Sequence, residues 1–269
     1  MKIGYLGPQG TFSEEASFRY FSDATIKRIP FPTFLDIFEA VQEGEIDQGI
    51  VPIENSIEGT VSVVLDGLQI YSDVFIQGEM ILDIEQHLLV LENVELETLK
   101  EIWSHPQPLA QCRNFIRNLN VKTRSFDSTV AAAHELIRSQ NKSVGVIGTS
   151  WAAEKLRLHM LASNIHDFPE NHTRFVIVRK GEYVSEDAKK TMLLITPSEE
   201  HPGVLVNILN VFSALELNLT WLESRPTKKR LGEYQFFMKI EEGLPSERMQ
   251  KAVRILALYG HSVRVLGSY

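Results

Sequence analysis

Strand-like and helix-like segments alternate along most of this chain, and this alternation restricts the possible folds more than any other feature. Residues 3–6 have the pattern of a buried strand, residues 7–10 form a Gly- and Pro-containing turn, and a helix follows from Thr11. Thr11 and Glu14 have the spacing of a capping box, which binds the free N–H groups at a helix start. Strands that alternate with helices predict mostly parallel α/β sheets.

The same order continues to about residue 180. We predict further strands at residues 29–31, 48–53, 75–76, 81–84, 87–91, 101–104, 144–147 and 176–178. We predict helices at residues 33–41, 60–68, 130–137 and 151–158, and one more that is opened by Pro106 or Pro108. Residues 54–59 are predicted to form a loop.

The order of elements changes after residue 190. Residues 179–190 are polar and rich in Glu and Lys, as is typical of a linker. Beyond them we predict strands at residues 191–196, 219–225, 234–240 and 262–266, with helices at 203–215 and 246–259. This β-α-β-β-α-β order is that of ferredoxin-like domains.

Composition and charge exclude several classes of function. With 269 residues and 43% hydrophobic content, the chain has the size of two globular domains. Its net charge of -8 argues against broad binding to nucleic acids or membrane surfaces. The first residues are strand-like and lack an apolar signal region, which predicts a cytoplasmic location. Cys112 is the only cysteine, so we expect a small buried residue and no disulfide framework.

Polar side chains gather at the predicted strand-to-helix junctions. In open α/β sheets the C-terminal ends of the strands form a ligand crevice, where helix N-termini present N–H groups to anions. Such a crevice can hold carboxylates without a cluster of lysines. The alternative is that each Ser or Thr only caps its helix. The residues concerned are Thr11, Ser13, Asn55, Ser56, Thr60, Ser104, Gln107, Gln111, Ser128, Thr129, Thr149 and Ser150.

One segment places a hydroxyl, a cation and an aromatic ring directly before a β-branched run. These are Thr173, Arg174 and Phe175, which precede the predicted strand at 176–178. Polar groups at the start of a buried strand are held in place by a rigid element, as the residues of an active site must be. Taken alone, the segment is better explained as an ordinary loop that precedes a strand. Glu54 and Glu58 allow an acid/base pair, although solvated loop carboxylates are the usual outcome.

Three segments together resemble the signature stretches of the prephenate dehydratase family. They are Pro52-Ile53-Glu54-Asn55-Ser56 with Gly59, Ser104-His105-Pro106-Gln107-Pro108, and Asn171-His172-Thr173-Arg174-Phe175. Residues 4–13 are similar to that family's N-terminus. Pro202-Gly203-Val204-Leu205 and Glu223-Ser224-Arg225-Pro226 resemble the phenylalanine-binding motifs of the attached ACT regulatory domain. The resemblance covers essentially the whole chain; Val204 departs from the small alanine that the family often has there.

The resemblance implies an α/β fold of two parts. The first is a two-lobed catalytic region like a type 2 periplasmic binding protein, at residues 1–180. One lobe is expected at about residues 1–77 with 172–180, and the other at 78–171. The second part is a ferredoxin-like (βαββαβ) ACT domain at residues 190–269. Since Met1 begins directly at the catalytic region, we expect a monofunctional, bacterial-type chain without a fused chorismate mutase.

The resemblance also implies conversion of prephenate to phenylpyruvate, CO2 and water in phenylalanine biosynthesis. Aromatisation drives this reaction, so neither a cofactor nor a metal is expected. Thr173 matches the family's essential threonine and is the expected donor to the leaving hydroxyl. Arg174 is a candidate carboxylate anchor, although an extended segment directs it opposite Thr173. The expected substrate-binding residues are Thr11, Asn55, Ser56, Ser104, Gln107, Gln111, Arg174 and Phe175, the last as an apolar wall.

Regulation by L-phenylalanine is the third implication of the resemblance. Gly203 at a helix start is expected to admit a ligand carboxylate close to backbone N–H groups, and Arg225 to close or brace that site. Domains of this kind usually pair across a symmetric interface, so we expect a homodimer or a homotetramer. The expected phenylalanine-binding residues are Gly203, Val204, Leu205, Val206, Glu223, Ser224, Arg225 and Pro226.

Two other functions stay open on the sequence alone. An arogenate dehydratase has the same fold and chemistry and differs only around the amino or keto end of the substrate. A cytosolic amino-acid sensor with a binding-protein-like clamp needs no particular proton donor, so Thr173 discriminates between a sensor and an enzyme.

Overall fold

The computed structural model describes residues 1–92, 94–199 and 201–269. The strands are Lys2–Leu6 (β1), Lys27–Phe31 (β2), Gln48–Asn55 (β3), Gly59–Thr60 (β4), Val74–Asp83 (β5), His87–Val90 (β6), Glu101–Ser104 (β7), Lys122–Ser125 (β8), Val144–Gly148 (β9), His159–Ala162 (β10), His172–Lys180 (β11), Thr191–Thr196 (β12), Leu219–Pro226 (β13), Tyr234–Ile240 (β14) and Ser262–Ser268 (β15). The helices are Phe12–Tyr20 (α1), Phe34–Glu43 (α2), Ser62–Ile70 (α3), Pro106–Gln111 (α4), Arg113–Leu119 (α5), Thr129–Ser139 (α6), Ser150–Leu156 (α7), Val204–Ala214 (α8) and Glu247–Leu258 (α9), with one 3₁₀ turn at Leu96–Thr98. Within the described ranges, every helix is too short or too polar to span a bilayer.

Contacts between backbone positions divide the chain into two compact units. The first unit comprises Met1–Ile37, Ile50–Val64 and Met80–Phe175, and the second comprises Phe38–Gly49, Leu65–Glu79 and Val176–Tyr269. The lobe and domain boundaries that the resemblance implies stay predictions.

Three sheets organise the described residues. The first has the order β2-β1-β3-β11-β5, and β4 pairs with β3. The second has the order β10-β6-β9-β7-β8, and the third has the order β13-β14-β12-β15. In the second sheet β7 is parallel to β8 and β9, whereas β6 is antiparallel to β9 and β10. The prediction of mostly parallel sheets is therefore wrong for the second sheet, because β6 pairs antiparallel with both of its neighbours, β9 and β10.

Helices cover both faces of the second sheet. Successive strand residues point to opposite faces, so Trp103 packs with helices α6 and α7 while Ile102 packs toward α4 and α5. In the same way, Val146 belongs to the buried cluster of Trp103, and Ile147 belongs to the buried cluster of Ile102 on the other face. Burial on both faces explains why these strands are continuous apolar runs, from which they could be predicted.

Two strands of the second sheet carry no sequence signal and were not predicted. All four residues of β8 are exposed and polar, and β10 has two exposed residues of four. Both are edge strands. Strand β8 pairs through backbone hydrogen bonds and has no apolar side chain, so hydrophobic periodicity does not reveal it. In β10, Leu161 and Ala162 pack on the core, but two apolar residues at the end of a short strand give no alternation.

The structure corrects two predictions in the first sheet. Residues 54–59 are not a continuous loop, because β3 extends through Asn55 and Gly59–Thr60 pairs back onto it as β4. The two short runs predicted at 75–76 and 81–84 form one strand of ten residues, Val74–Asp83.

The predicted helix caps are confirmed. The hydroxyls of Thr11, Ser128 and Thr149 accept hydrogen bonds from the backbone N–H groups of Glu14, Ala131 and Ala152. Pro106 is the first residue of α4, as its missing N–H allows. The second half of the predicted capping box is different, since the Glu14 carboxylate accepts from the N–H of Gly10 and not of Thr11.

The second unit contains the predicted β-α-β-β-α-β order from β12 to β15. In its sheet β12 lies between β14 and β15, and all three neighbouring pairs are antiparallel. One face of this sheet packs on α8 and α9 through a core that includes Leu193, Ile208, Met238 and Leu256. The ferredoxin-like order is thus confirmed from the strand register itself.

A buried histidine makes the stability of the first unit sensitive to acid. His87 opens β6, is 4% exposed, and accepts a hydrogen bond at Nδ1 from the backbone N–H of Asn164 at 3.2 Å. Burial lowers the pKa of His87 in the folded chain. The neutral ring therefore contributes stability above the unfolded pKa of about 6.5, and that stability is lost as the pH falls through the folded pKa.

We expect the melting temperature to drop between about pH 7 and about pH 5, and to drop less in His87→Asn. Asparagine Oδ1 can accept the same hydrogen bond without gaining a charge. His134→Asn, at an exposed position of α6, should follow the wild-type curve. Equal slopes of melting temperature against pH for His87→Asn and the wild type would contradict this assignment.

Candidate active site

Asn55 closes the turn between β3 and β4. Its Oδ1 accepts hydrogen bonds from the backbone N–H groups of Ile57 at 3.0 Å and Glu58 at 2.9 Å. Asparagine often stabilises turns by bonding to the backbone two residues further on. The local fold thus fixes the side-chain amide of Asn55 and directs its Nδ2 toward the neighbouring strand.

The Nδ2 of Asn55 meets three acceptors at the start of β11. It lies 2.9 Å from Thr173 Oγ1, 2.8 Å from Asn171 Oδ1 and 3.1 Å from the carbonyl oxygen of His172. Asn55, Asn171 and Thr173 are between 2% and 9% exposed. Buried polar groups are costly unless they are hydrogen-bonded, so this arrangement is specified and not incidental.

The hydrogen bonds continue from Asn171 to helix α4. Asn171 Nδ2 donates to Gln111 Oε1 at 3.4 Å, and Gln111 Nε2 donates to Glu58 Oε1 at 3.4 Å. The backbone N–H of Glu58 donates to Asn55 Oδ1 and closes a ring of hydrogen bonds through Asn55, Asn171, Gln111 and Glu58, which we call the amide ring. The ring joins the β3–β4 turn, α4 and the segment before β11.

The amide ring determines what the Thr173 hydroxyl can do. Within the described part of the chain, that hydroxyl accepts from Asn55 and donates to no protein acceptor. A hydroxyl has one proton to donate. The proton of the Thr173 hydroxyl is therefore not used by the bond to Asn55.

A second group of predicted site residues lies on the opposite face of the same strands. Arg174 Nε is 3.3 Å from Glu54 Oε2, and Ser56 Oγ accepts from the backbone N–H of His172 at 2.9 Å. These side chains and Ile81 line an open depression of about 290 Å³. The predicted direction of Arg174, opposite to Thr173, is confirmed by the alternation of side chains along β11.

Three further residues that were predicted to bind substrate have burial or hydrogen bonds that are typical of structural roles. Ser104 is fully buried and donates to the carbonyl oxygen of Ile147 at 2.8 Å. Phe175 is 2% exposed and packs in the core. The hydroxyl of Thr11 is occupied by its cap and by a bond to the carbonyl oxygen of Leu6 at 3.0 Å. Their contact with substrate stays a prediction.

Gln107 and Cys112 lie on either side of Gln111 in helix α4 and differ in burial. Gln107 is exposed on the first turn of α4, and within the described part of the chain its side chain makes no hydrogen bond to the amide ring. Cys112 is fully buried, as predicted, and burial raises the pKa of its thiol to about 12. A thiol with that pKa stays protonated at neutral pH, so Cys112 is a packing residue.

The sequence argument did not identify Asn171 as a site residue. Asn171 stands two positions before Thr173, and alternation in an extended segment places both on one face. The spacing of two residues between Asn171 and Thr173 was the sequence signal that could have identified Asn171 as a site residue.

Comparison with known proteins identifies the family. The family model described as prephenate dehydratase matches residues 3–183, more than half of the chain. The chain belongs to the prephenate dehydratase family. A prephenate dehydratase of Methanocaldococcus jannaschii is 35% identical over 269 residues, which cover 98% of this chain and 96% of that protein. Since its curated relatives are enzymes, this member of the family is an enzyme.

Two solved prephenate dehydratases have the same fold. The structure from Staphylococcus aureus Mu50 is 32% identical, with a TM-score of 0.91 and full coverage of both chains. The structure from Arthrobacter aurescens, in complex with L-Phe, is 33% identical, with a TM-score of 0.91. It covers 100% of this chain and 90% of that one.

The segment predicted to bind the effector begins helix α8 of this chain. Gly203 is the N-cap and has a positive φ of 90°, a conformation that favours glycine. Val204 is buried, Leu205 is half-buried and Val206 is 57% exposed. The backbone N–H of Val204 donates to the carbonyl oxygen of His201 at 3.2 Å, so a ligand carboxylate here would have to bind the N–H groups of Leu205 and Val206 that follow it. Binding of the effector at this turn stays a prediction.

The second predicted effector segment lies on strand β13. Ser224 and Pro226 are exposed, whereas Glu223 and Arg225 are half-buried on the other face. Arg225 Nη2 and Lys228 Nζ each donate to the Asp66 carboxylate at 2.8 Å. Burial alone raises the pKa of Asp66, but the hydrogen bonds from Lys228 and Arg225 outweigh it and hold that pKa below its usual range.

Proposed function

We propose that this chain converts prephenate to phenylpyruvate, CO2 and water, with Thr173 as the donor to the leaving hydroxyl. The observation that carries the proposal is the 2.9 Å bond from Asn55 Nδ2 to Thr173 Oγ1. This bond occupies an acceptor position of the hydroxyl and leaves its proton available. Membership of the prephenate dehydratase family supports the choice of substrate.

The reaction needs one carbon–carbon and one carbon–oxygen bond to break. The bond from the ring to its carboxylate breaks, and its electron pair moves through the ring as the ring becomes aromatic. That electron pair expels the oxygen from C4, so the ring becomes aromatic only as the C4–oxygen bond breaks. The departing oxygen takes a proton from solvent while the Thr173 hydroxyl donates a hydrogen bond to it, and it leaves as water. A hydrogen bond to that oxygen is stronger when it carries negative charge, so it stabilises the transition state more than the substrate.

The groups bonded directly to Asn55 and Thr173 are neutral, which suits a departing carboxylate. The side chains that bond to Asn55 and Thr173 are amides and a hydroxyl. A strong ion pair to the ring carboxylate would stabilise the ground state and raise the barrier to its loss. Amide donors hold an anion more weakly than a cationic side chain does. The hydrogen bonds of the amide ring to Gln111 and Glu58 keep these amides in one orientation.

The deciding experiment is an assay with two substrates. Purified protein is given prephenate or arogenate, and phenylpyruvate and phenylalanine are measured. We expect phenylpyruvate from prephenate, with kcat/KM for prephenate at least about 10-fold higher than for arogenate. A preference for arogenate would assign the arogenate reaction instead, and no product from either substrate would reject the proposal.

The second unit supports a regulatory role for phenylalanine. We propose that its β12–β15 segment is an ACT domain that binds L-phenylalanine near Gly203 and works as a homodimer or homotetramer. The ferredoxin-like strand order and the glycine with positive φ at the start of α8 support this. The solved relative in complex with L-Phe supports it further.

We expect L-phenylalanine to inhibit turnover and to raise the melting temperature. At 100 times its dissociation constant, a ligand adds about 2.7 kcal/mol of stability. Arg225→Ala removes a cation from Asp66 and should raise the half-inhibitory concentration roughly 10-fold. Arg248→Ala is the matched control, since Arg248 pairs with the Glu242 carboxylate at 2.9 Å on an exposed surface of the same unit. Equal inhibition of Arg225→Ala and the wild type would remove Arg225 from the response.

A further inference from the structure

Glu14 is a buried carboxylate that the proposed reaction does not use. It lies in the first turn of α1 and is 4% exposed. Its Oε2 accepts from the backbone N–H of Gly10 and from Trp151 Nε1, both at 2.7 Å. Its Oε1 accepts from the Tyr5 hydroxyl at 3.4 Å. Since a carboxylate is an acceptor of hydrogen bonds, all three donors match it.

The bond to Trp151 joins two helices that are far apart in sequence. Glu14 and Trp151 are 137 positions apart, and Trp151 lies in the first turn of α7. The rings of Phe18 and Trp151 have centroids 4.9 Å apart, and Lys155 Nζ lies 4.9 Å from the first and 4.8 Å from the second. Aromatic and cation–π contacts thus support the same pairing of α1 with α7.

The turn before α1 packs directly against the same region. Gly10 has a φ of 93°, and a Cβ at this position would lie 3.3 Å from Val130 and 3.7 Å from Ala152. The Thr149 hydroxyl lies 3.4 Å from the carbonyl oxygen of Gly10. Glu14 Oε2 accepts hydrogen bonds from both the Gly10 N–H in this turn and the indole N–H of Trp151 in α7. Glu14 therefore holds the turn before α1 next to the start of α7.

We propose that Glu14 and Trp151 are positioning residues for substrate binding, an inference that rests on the proposed function. Residues 1–77 and 78–171 are the two predicted lobes, and the Glu14–Trp151 contact joins them within the first unit. A substrate that contacts both lobes at once binds only when the two lobes are held at the correct distance from each other. Apparent affinity falls in proportion to the fraction of molecules in that arrangement.

The test compares two tryptophan substitutions. Trp151→Phe keeps the ring that contacts Phe18 and removes the N–H that Glu14 accepts. Trp103→Phe is the matched control, since Trp103 Nε1 also donates to a carboxylate, Glu101, at 2.8 Å, but both residues lie on strand β7. We expect Trp151→Phe to raise KM for prephenate roughly 10-fold, the size of a lost charge-assisted hydrogen bond, with kcat within about twofold. Trp103→Phe should leave KM unchanged.

Two further measurements separate positioning from a loss of stability. Glu14→Gln keeps a carbonyl oxygen and loses the charge, so its KM should lie between those of the wild type and Trp151→Phe. Amide hydrogen exchange over residues 7–16 and 149–157 should be faster in Trp151→Phe than in Trp103→Phe, because separation of α1 from α7 exposes these segments.

The outcomes are distinguishable. An unchanged KM in Trp151→Phe, with or without faster exchange, overturns the positioning role. A raised KM with faster exchange supports it. If the wild type does not convert prephenate, the proposed function fails instead, and the exchange rates alone then support or overturn the joining of α1 to α7.

Discussion

Thr173→Ala should lower kcat for prephenate by at least about 100-fold, because a positioned proton donor contributes about 10²–10⁴ in rate. The substitution removes the hydroxyl that Asn55 orients and leaves the backbone of β11 in place. Asn55 Nδ2 keeps two acceptors, Asn171 Oδ1 and the carbonyl oxygen of His172. We therefore expect a native far-UV circular dichroism spectrum and a modest change in melting temperature.

Thr173→Ser is the control for this prediction. Serine retains the hydroxyl and its bond to Asn55, so kcat should stay within about 10-fold of the wild-type value. The two variants differ in the presence of the hydroxyl, whereas both lose the methyl group. Near-normal turnover in Thr173→Ala would remove Thr173 from its proposed role.

Asn55→Asp should lower kcat roughly 100-fold and the free energy of unfolding by about 3 kcal/mol, the cost of a buried charge without a partner. A carboxylate oxygen in place of Nδ2 would lie against Asn171 Oδ1 and the His172 carbonyl oxygen, and neither can donate to it in its present orientation. It would also accept the proton of Thr173. The hydroxyl would then turn inward, away from a bound substrate.

The pH dependence of Asn55→Asp provides an internal check. The protonated acid carries an O–H that can donate where Nδ2 did, so lowering the pH should partly restore kcat relative to the wild type. Asn141→Asp is the matched control, because Asn141 Oδ1 only accepts, from the N–H and hydroxyl of Ser143 in an exposed turn. Chemical denaturation and kcat of Asn141→Asp should match the wild type at each pH. An Asn55→Asp enzyme with wild-type kcat would contradict the role of the amide ring.

The fold could be predicted where side-chain pattern and tertiary burial agree. Strand β9 is an apolar run with helices on both faces, and the hydroxyls of Ser128 and Thr149 stand where helix caps are needed. The edge strands β8 and β10 could not be predicted, because each is four residues long without an alternating apolar pattern and pairs with a segment distant in sequence. The antiparallel part of the second sheet was missed for the same reason, since strand direction depends on partners that no local pattern names.

The candidate site was predictable in part. Thr173 and Asn55 stood in the recognised segments and Gln111 at a predicted strand-to-helix junction, and the structure brings all three into one region through Asn171. The bonds among them span between 60 and 118 positions of sequence, so only the folded chain defines their partners. Arg225 is the clearest case, because its bond to Asp66 across 159 positions has no local signal in either segment.

The most direct test of the account is a single-turnover measurement with Thr173→Val and Thr173→Ser. Valine has nearly the shape of threonine and lacks the hydroxyl, so it removes the proposed donor with little change in packing. With enzyme in excess over prephenate, the observed rate reports the chemical step and not product release. The account predicts a rate for Thr173→Val at least about 100-fold below that of Thr173→Ser, at equal substrate affinity. Equal single-turnover rates for the two variants would contradict it.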